Sequence, residues 1–293
     1  MYKNEYEPGS ECAVYTDLAC ERYRADLDIP GVSYKKEATA GGIWERIKIT
    51  SSEGAQSIGR PIGTYDTLHI QRMDLLDNDF IHDAEKEVAK ELRYIFTKEN
   101  ISARRILVVG LGNSRLTHDS VGYRAATLVK PTMHIKAIDE SFFYTLECSE
   151  IAVISPGVPA ATGLDSIVTV KGLCERIKPN AVIAIDSLVA KDKERLGATI
   201  QISSTGIAAG SGVGKRKSAI CEESIGAPVI AVGVPTVINS DALCPDKSGE
   251  NEEKRKTSHN AGMLVCQKEI GEIVEVAAKI ISGGISIAFG LYS

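Results

Sequence analysis

The chain has 293 residues, with 39 acidic against 34 basic side chains, a net charge of −5 and a pI near 5.7. A weakly acidic chain excludes a general nucleic-acid binder, because neutralising phosphates needs a concentrated basic face. An apolar content of 43% with 25% charged residues is that of a water-soluble globular protein. No apolar run reaches membrane-span length, and the polar start MYKNEYEPGSECAVY has no secretory character, so a cytoplasmic protein without a membrane partner is expected. The seven cysteines are scattered and form no C-x-x-C pair, as expected of free thiols in a reducing compartment.

Residues 1 to about 30 alternate charge and polarity around Pro8-Gly9 and Pro30-Gly31, which predicts a loosely docked extension. Ile43, Glu45, Ile47 and Ile49 then repeat with a period of two, predicting a half-buried strand. Gly59–Gly63 reads as a turn and Tyr65–Ile70 as another strand. Over 79–97, Ile81, Ala84, Val88, Leu92 and Ile95 share one helical face. From Ile106 onward, apolar runs and helical stretches alternate. Strands are predicted at 106–109, 151–155, 181–186, 199–203 and 227–235. Helices are predicted at 120–130 and 165–177, with another ending at Ile225. Runs apolar on both faces and separated by helices predict an α/β fold, a mainly parallel sheet covered by helices on both faces. Residues 206–214 form a glycine-rich loop, 245–260 a solvated linker, and 268–289 a C-terminal helix with a small-residue tail.

Two aspartates stand where propensity does not place them: Asp119 past the ILVV strand and its Gly110-Leu111-Gly112-Asn113 turn, and Asp186 closing AVIAID. Each alone could be a cap or turn residue. If their strands are neighbours, two carboxylates about 4 Å apart at an effective dielectric near 20 repel by roughly 4 kcal/mol. Such a pair keeps one proton, giving a general acid beside a general base that activates water. Other motifs fail. GLGNSR carries Arg115 at the third glycine of a dinucleotide fingerprint, and AGSGVGKR has Ala209 and Arg216 at obligatory P-loop positions. That second loop, with Gly210, Ser211, Gly212, Lys215 and Arg216, could instead present backbone N–H groups and cations to a cleft. His118 adjoins Asp119. A metal site from Asp119, Asp186 and His134 is chemically allowed, although HExxH is absent. There is no G-x-S-x-G nucleophile motif. A catalytically silent peptide-binding protein is the reading from another class.

The blocks VVGLGN…LTHDSVG, SPGVPAATGLDS, PNAVIAIDSLVAK, TIQISSTGIAAGSGVGKRK and GAPVIAVGVPTVI, in that order, resemble the spore germination protease family. The resemblance runs from AVYTDLA to the C-terminal helix. It implies a self-processing endopeptidase, made as a zymogen, that hydrolyses the small acid-soluble proteins coating spore DNA. It further implies a fold similar to hydrogenase-maturation endopeptidases, a homotetramer in the forespore and spore core, no cofactor and no direct nucleic-acid partner. The catalytic pair it implies falls on Asp119 and Asp186. Family zymogens cut ahead of a T-D-L-A block, so the implied propeptide is residues 1–15, removed at Tyr15–Thr16, leaving one α/β domain over 16–293. The sequence departs from the family pattern at Tyr15, where arginine is common, and at His118, where a proline stands. It departs again in GVGKRK, which lacks an asparagine, and in its short 245–260 linker.

Overall fold

The computed structural model describes residues 15–24, 28–207, 219–243 and 263–291. In chain order the main elements are β1 (Val32–Thr39), β2 (Gly42–Ile49), α1 (Ser52–Ile58), β3 (Gly63–His69), α2 (Asn78–Lys98), β4 (Arg105–Gly110), α3 (Val121–Leu128), α4 (Met133–Ile138), α5 (Glu140–Thr145) and β5 (Glu150–Ile154). These are followed by α6 (Pro159–Thr162), α7 (Ser166–Ile177), β6 (Ala181–Ala190), β7 (Thr199–Ser203), α8 (Glu222–Ile225), β8 (Val229–Asn239), β9 (Leu264–Val265) and α9 (Ile270–Ala288).

The strands form one nine-stranded sheet in the order β1-β2-β3-β7-β8-β6-β4-β5, with β9 paired to β8. The expected helix-covered α/β architecture is present, but the sheet is mixed. Only β5, β4, β6 and β8 run parallel, while β1, β2, β3 and β7 pair antiparallel. β1 and β2 connect through the short turn between Thr39 and Gly42, which only antiparallel neighbours permit. Two further expectations need correction. Asp186 does not close its strand: β6 continues through Ala190 because Ser187–Ala190 pair with Val234–Ile238 of β8. The N-terminal stretch is no loose extension over its described part, because Leu18 and Ala19 are fully buried.

The sheet separates two kinds of packing. On one face, α2, α3 and α9 cover a single apolar cluster. The α2 contribution is Ala84, Val88, Leu92 and Ile95, the helical stripe read from the sequence. Ile273, Val274, Ala277, Ile281 and Ile285 of α9 join it from a second stripe. An aspartate cap starts α2, the Asp77 carboxylate accepting the Phe80 N–H at 2.8 Å. On the opposite face lie two smaller clusters. Val182 and Ala184 of β6 belong to one, with α7 and α8; Leu188 and Ala190 belong to the other, with Leu18, Ala19, Ile47 and Tyr65. Side chains alternate along a strand, so Asp186 points to this same face, between the two clusters.

Candidate active site

Register carries the polar break across the sheet. Asp186 pairs with Gly233, Gly233 with Gln201, Gln201 with Thr67, and Thr67 with Glu45. Residues paired in a ladder present their side chains to the same face. A row of polar or small residues therefore runs from β6 to β2 between the apolar clusters. A cavity of about 110 Å³ opens beside it, with Asp17, Arg60, Tyr65, Leu188, Gln201 and Gly233 in its wall. That volume has room for water, and its wall supplies polar partners. Asp186 is 4% exposed, and its carboxylate accepts the N–H of Ser187 at 2.9 Å.

Asp119 reaches this end of the sheet through a loop braced at three points. After β4, the Leu111 N–H bonds to the Ile185 carbonyl at 2.8 Å, tying the loop to the residue before Asp186. Gly112 turns with a φ of +93°, where a Cβ would stand 2.1 Å from the Asp119 carbonyl oxygen. Only glycine is at ease there. The next N–H, of Asn113, donates to both the carbonyl and Oδ2 of Asp119, at 2.9 and 3.0 Å. The third brace comes from β8, where pairing skips Thr236 between Pro235 and Val237. A bulge re-aims a side chain, and the Thr236 hydroxyl donates to the His118 carbonyl at 2.6 Å. α3 then begins close against the tip of β6, since a Cβ on Gly122 would lie 2.2 Å from the Ile185 carbonyl oxygen.

Of the other residues singled out, Gly110, Gly112, Asn113 and His118 belong to this braced loop. Gly210, Ser211, Gly212 and Lys215 lie outside the described residues. Ile207 and Ile220, which are described, exchange backbone hydrogen bonds of 3.0 and 2.8 Å, and Ile207 lines the cavity. His134 is on the exposed side of α4, next to β5. Among the described residues, the potential metal ligands that converge within 4.8 Å are Cys20, Glu45 and His69, not the aspartates. A cation already serves that group, for Arg195 Nη1 lies 2.6 Å from His69 Nε2 and 3.2 Å from Glu45 Oε2. The hydrogen bond with His69, against the opposing effect of burial, and the charges of His69 and Arg195 hold the Glu45 carboxyl down at about 2.

The N-terminal segment is the part of the site that sequence patterning missed. Asp17 adds to the edge of β6, its N–H bonding the Val189 carbonyl and its Oδ2 accepting the Val189 N–H, each at 2.8 Å. Gln201 grips the same segment, accepting the Ala19 N–H at 2.9 Å and donating to the Asp17 carbonyl at 3.2 Å. Arg60 and Arg22 donate to the Thr16 carbonyl at 2.8 and 3.3 Å. Tyr15 donates its hydroxyl to Asp17 Oδ1 at 2.5 Å. Val189 is three strand residues from Asp186, so Asp17 docks on the order of 10 Å along β6 from it.

The family profile described as "Germination protease" matches residues 13–248. A germination protease of Caldanaerobacter subterraneus subsp. tengcongensis is 35% identical over 308 aligned positions, covering 94% of each chain. One from Clostridium perfringens is 33% identical, again over 94% of each chain. A hydrogenase maturation protease, HycI of Thermococcus kodakarensis, aligns with 68% of this chain and 98% of its own at a TM-score of 0.37 and 15% identity. No helix among the described residues is long and apolar enough to cross a membrane.

Proposed function

The chain belongs to the germination protease family, a family of endopeptidases, and from that premise we propose a self-processing enzyme that hydrolyses peptide bonds with Asp119 and Asp186. The observation that carries the reading is the meeting, at one end of the parallel strands, of three things. These are the buried Asp186, the braced Asp119 loop and the docked Thr16–Ala19 segment. Open α/β sheets collect their chemistry outside the carboxyl ends of their strands.

In the proposed reaction one carboxylate takes a proton from water as the water oxygen attacks the scissile carbonyl. The partner carboxyl donates its proton to the departing amide nitrogen. Each transfer by a positioned acid or base contributes about 10²–10⁴-fold. Rigidity of the Asp119 loop matters here because a misplaced acid loses that factor. The Gly112 turn and the Thr236 hydroxyl are the parts that supply it.

The substrates proposed are the small acid-soluble proteins that coat spore DNA, and the first substrate is the chain's own Tyr15–Thr16 bond. Assembly as a homotetramer in the cytoplasm of the forespore and spore belongs to the same proposal. Incubating the purified chain with a small acid-soluble spore protein tests it. Discrete fragments are expected; binding without fragments would favour a silent binding protein instead.

A further inference from the structure

Glu21 has no part in the chemistry above, yet its carboxylate is held more firmly than most on the surface of this molecule. Its side chain is 3% exposed. Oε2 accepts the Lys191 N–H and Oε1 the Asp192 N–H, both at 2.8 Å, directly after the end of β6. Oε2 also takes a short hydrogen bond from the Thr16 hydroxyl. That hydroxyl accepts the Leu18 N–H at 3.0 Å, closing a small loop around the first residue of the T-D-L-A block. The α-nitrogen of Thr16 is three bonds from its Oγ1, hence about 3–4 Å away. A buried anion therefore sits within reach of that nitrogen.

We infer that Glu21 is the acceptor for the α-ammonium group that processing creates at Thr16. The inference rests on the self-processing reading above. Hydrolysis breaks the Tyr15–Thr16 C–N bond, a water oxygen bonds the Tyr15 carbonyl carbon, and the nitrogen leaves as an amine. Protonated in neutral solution, that amine becomes a new cation at a fixed position. The other charged groups around it are Asp17, Arg22 and Arg60, with Arg195 Nε 3.8 Å from Glu21 Oε1 on the far side. The two arginines already hold the Thr16 carbonyl, so the residue stays in place when Tyr15 departs. The ion pair then ties the new chain end to Lys191 and Asp192, immediately beyond the strand that carries Asp186. Cleavage on this account tightens the wall of the cavity rather than loosening it.

The sign follows from the pair. An amine stabilised as ammonium by a folded-state carboxylate has its pKa raised above the ordinary 7.7–8.0, roughly, of a chain end. The added stability is full below that ordinary value and is lost as pH rises through the folded one. The test takes the processed full chain and its E21Q variant, with the cut located by mass and N-terminal sequencing. The rate of α-amine labelling by an activated ester is then followed against pH.

The expected result is a wild-type midpoint higher than that of E21Q by at least one pH unit, about tenfold slower labelling at neutral pH. Processing should also raise the melting temperature of the wild type at pH 7, and selective acetylation of its α-amine should remove that rise. Acetylation leaves Glu21 and its backbone bonds untouched, so the test survives poor folding of E21Q. A cut at Tyr15–Thr16 with an ordinary midpoint and no effect of acetylation overturns the inference alone. A chain that is not cut there overturns the self-processing reading and the inference with it.

Discussion

On the face covered by α2, α3 and α9, apolar side chains form one cluster that includes residues as distant as Trp44 and Leu291. On the opposite face the row from Asp186 to Glu45 divides the apolar packing into two. The same strands supply both faces, so the difference is in which residues alternate onto each. The continuous face buys stability. The divided face gives up apolar area to place carboxylates, an amide and a cavity beside the docked N-terminal segment. The proposed site lies where the core is interrupted.

That contrast can be broken from either side. Ile281→Ala on the continuous face should cost about 4 kcal/mol, within the range for deleting a buried isoleucine, while leaving cleavage per folded molecule unchanged. Denaturant unfolding read together with activity checks this, and a selective loss of activity would mean that the two faces are not separable. Gln201→Ala on the divided face should cost less, about 1–2 kcal/mol for two hydrogen bonds to the N-terminal segment. It should release residues 15–22 to hydrogen exchange well before the rest of the chain. Unchanged protection of that segment would show that Leu18 and Ala19 hold it alone.

A further test concerns a buried charge group on the continuous face. Asp66, 1% exposed, and Glu91, 2% exposed, share the guanidinium of Arg46, which lies 3.3 Å from Asp66 and in short contact with Glu91. Burial, and then the neighbouring Glu91, push Asp66 up to about 8. A carboxyl raised in the folded state lends stability that is full below its unfolded value near 3.9 and is lost as pH rises through the folded one. Asp66→Asn should therefore raise stability at pH 8 and leave it nearly unchanged at pH 4. Melting curves at the two pH values decide it, and destabilisation at pH 8 would show that the ionised form is the one the fold accommodates.

Much of this arrangement was legible in the sequence, for identifiable reasons. The helix of 79–97 and the apolar runs at 106–109 and 181–186 read correctly because burial on a stripe or on both faces leaves a periodic trace. β1 left none, since most of its side chains are exposed and its residues Lys35, Lys36 and Glu37 lie on a sheet edge. The docking of Thr16–Cys20 was equally silent. Its anchors, Glu21 and Arg22 apart, are Arg60, Val189 and Gln201, tens to nearly two hundred positions away, and the three apolar residues Leu18, Ala19 and Cys20 carry no period. Thr236 could not be found because a bulge, not a motif, aims it. Strand direction was misjudged for a related reason: apolar content reports burial, whereas pairing direction depends on connections such as the turn between Thr39 and Gly42.

The central claim is that Asp119 and Asp186 act as one acid–base pair. The most direct test is to purify Asp119→Asn and Asp186→Asn and follow Tyr15–Thr16 processing by mass, with melting curves beside it. Either substitution keeps the size of the side chain and removes its charge. The account predicts that each variant melts cooperatively like the wild type and that processing falls at least about 10²-fold, with the double variant little worse than either single one. Normal processing in either well-folded variant would contradict it.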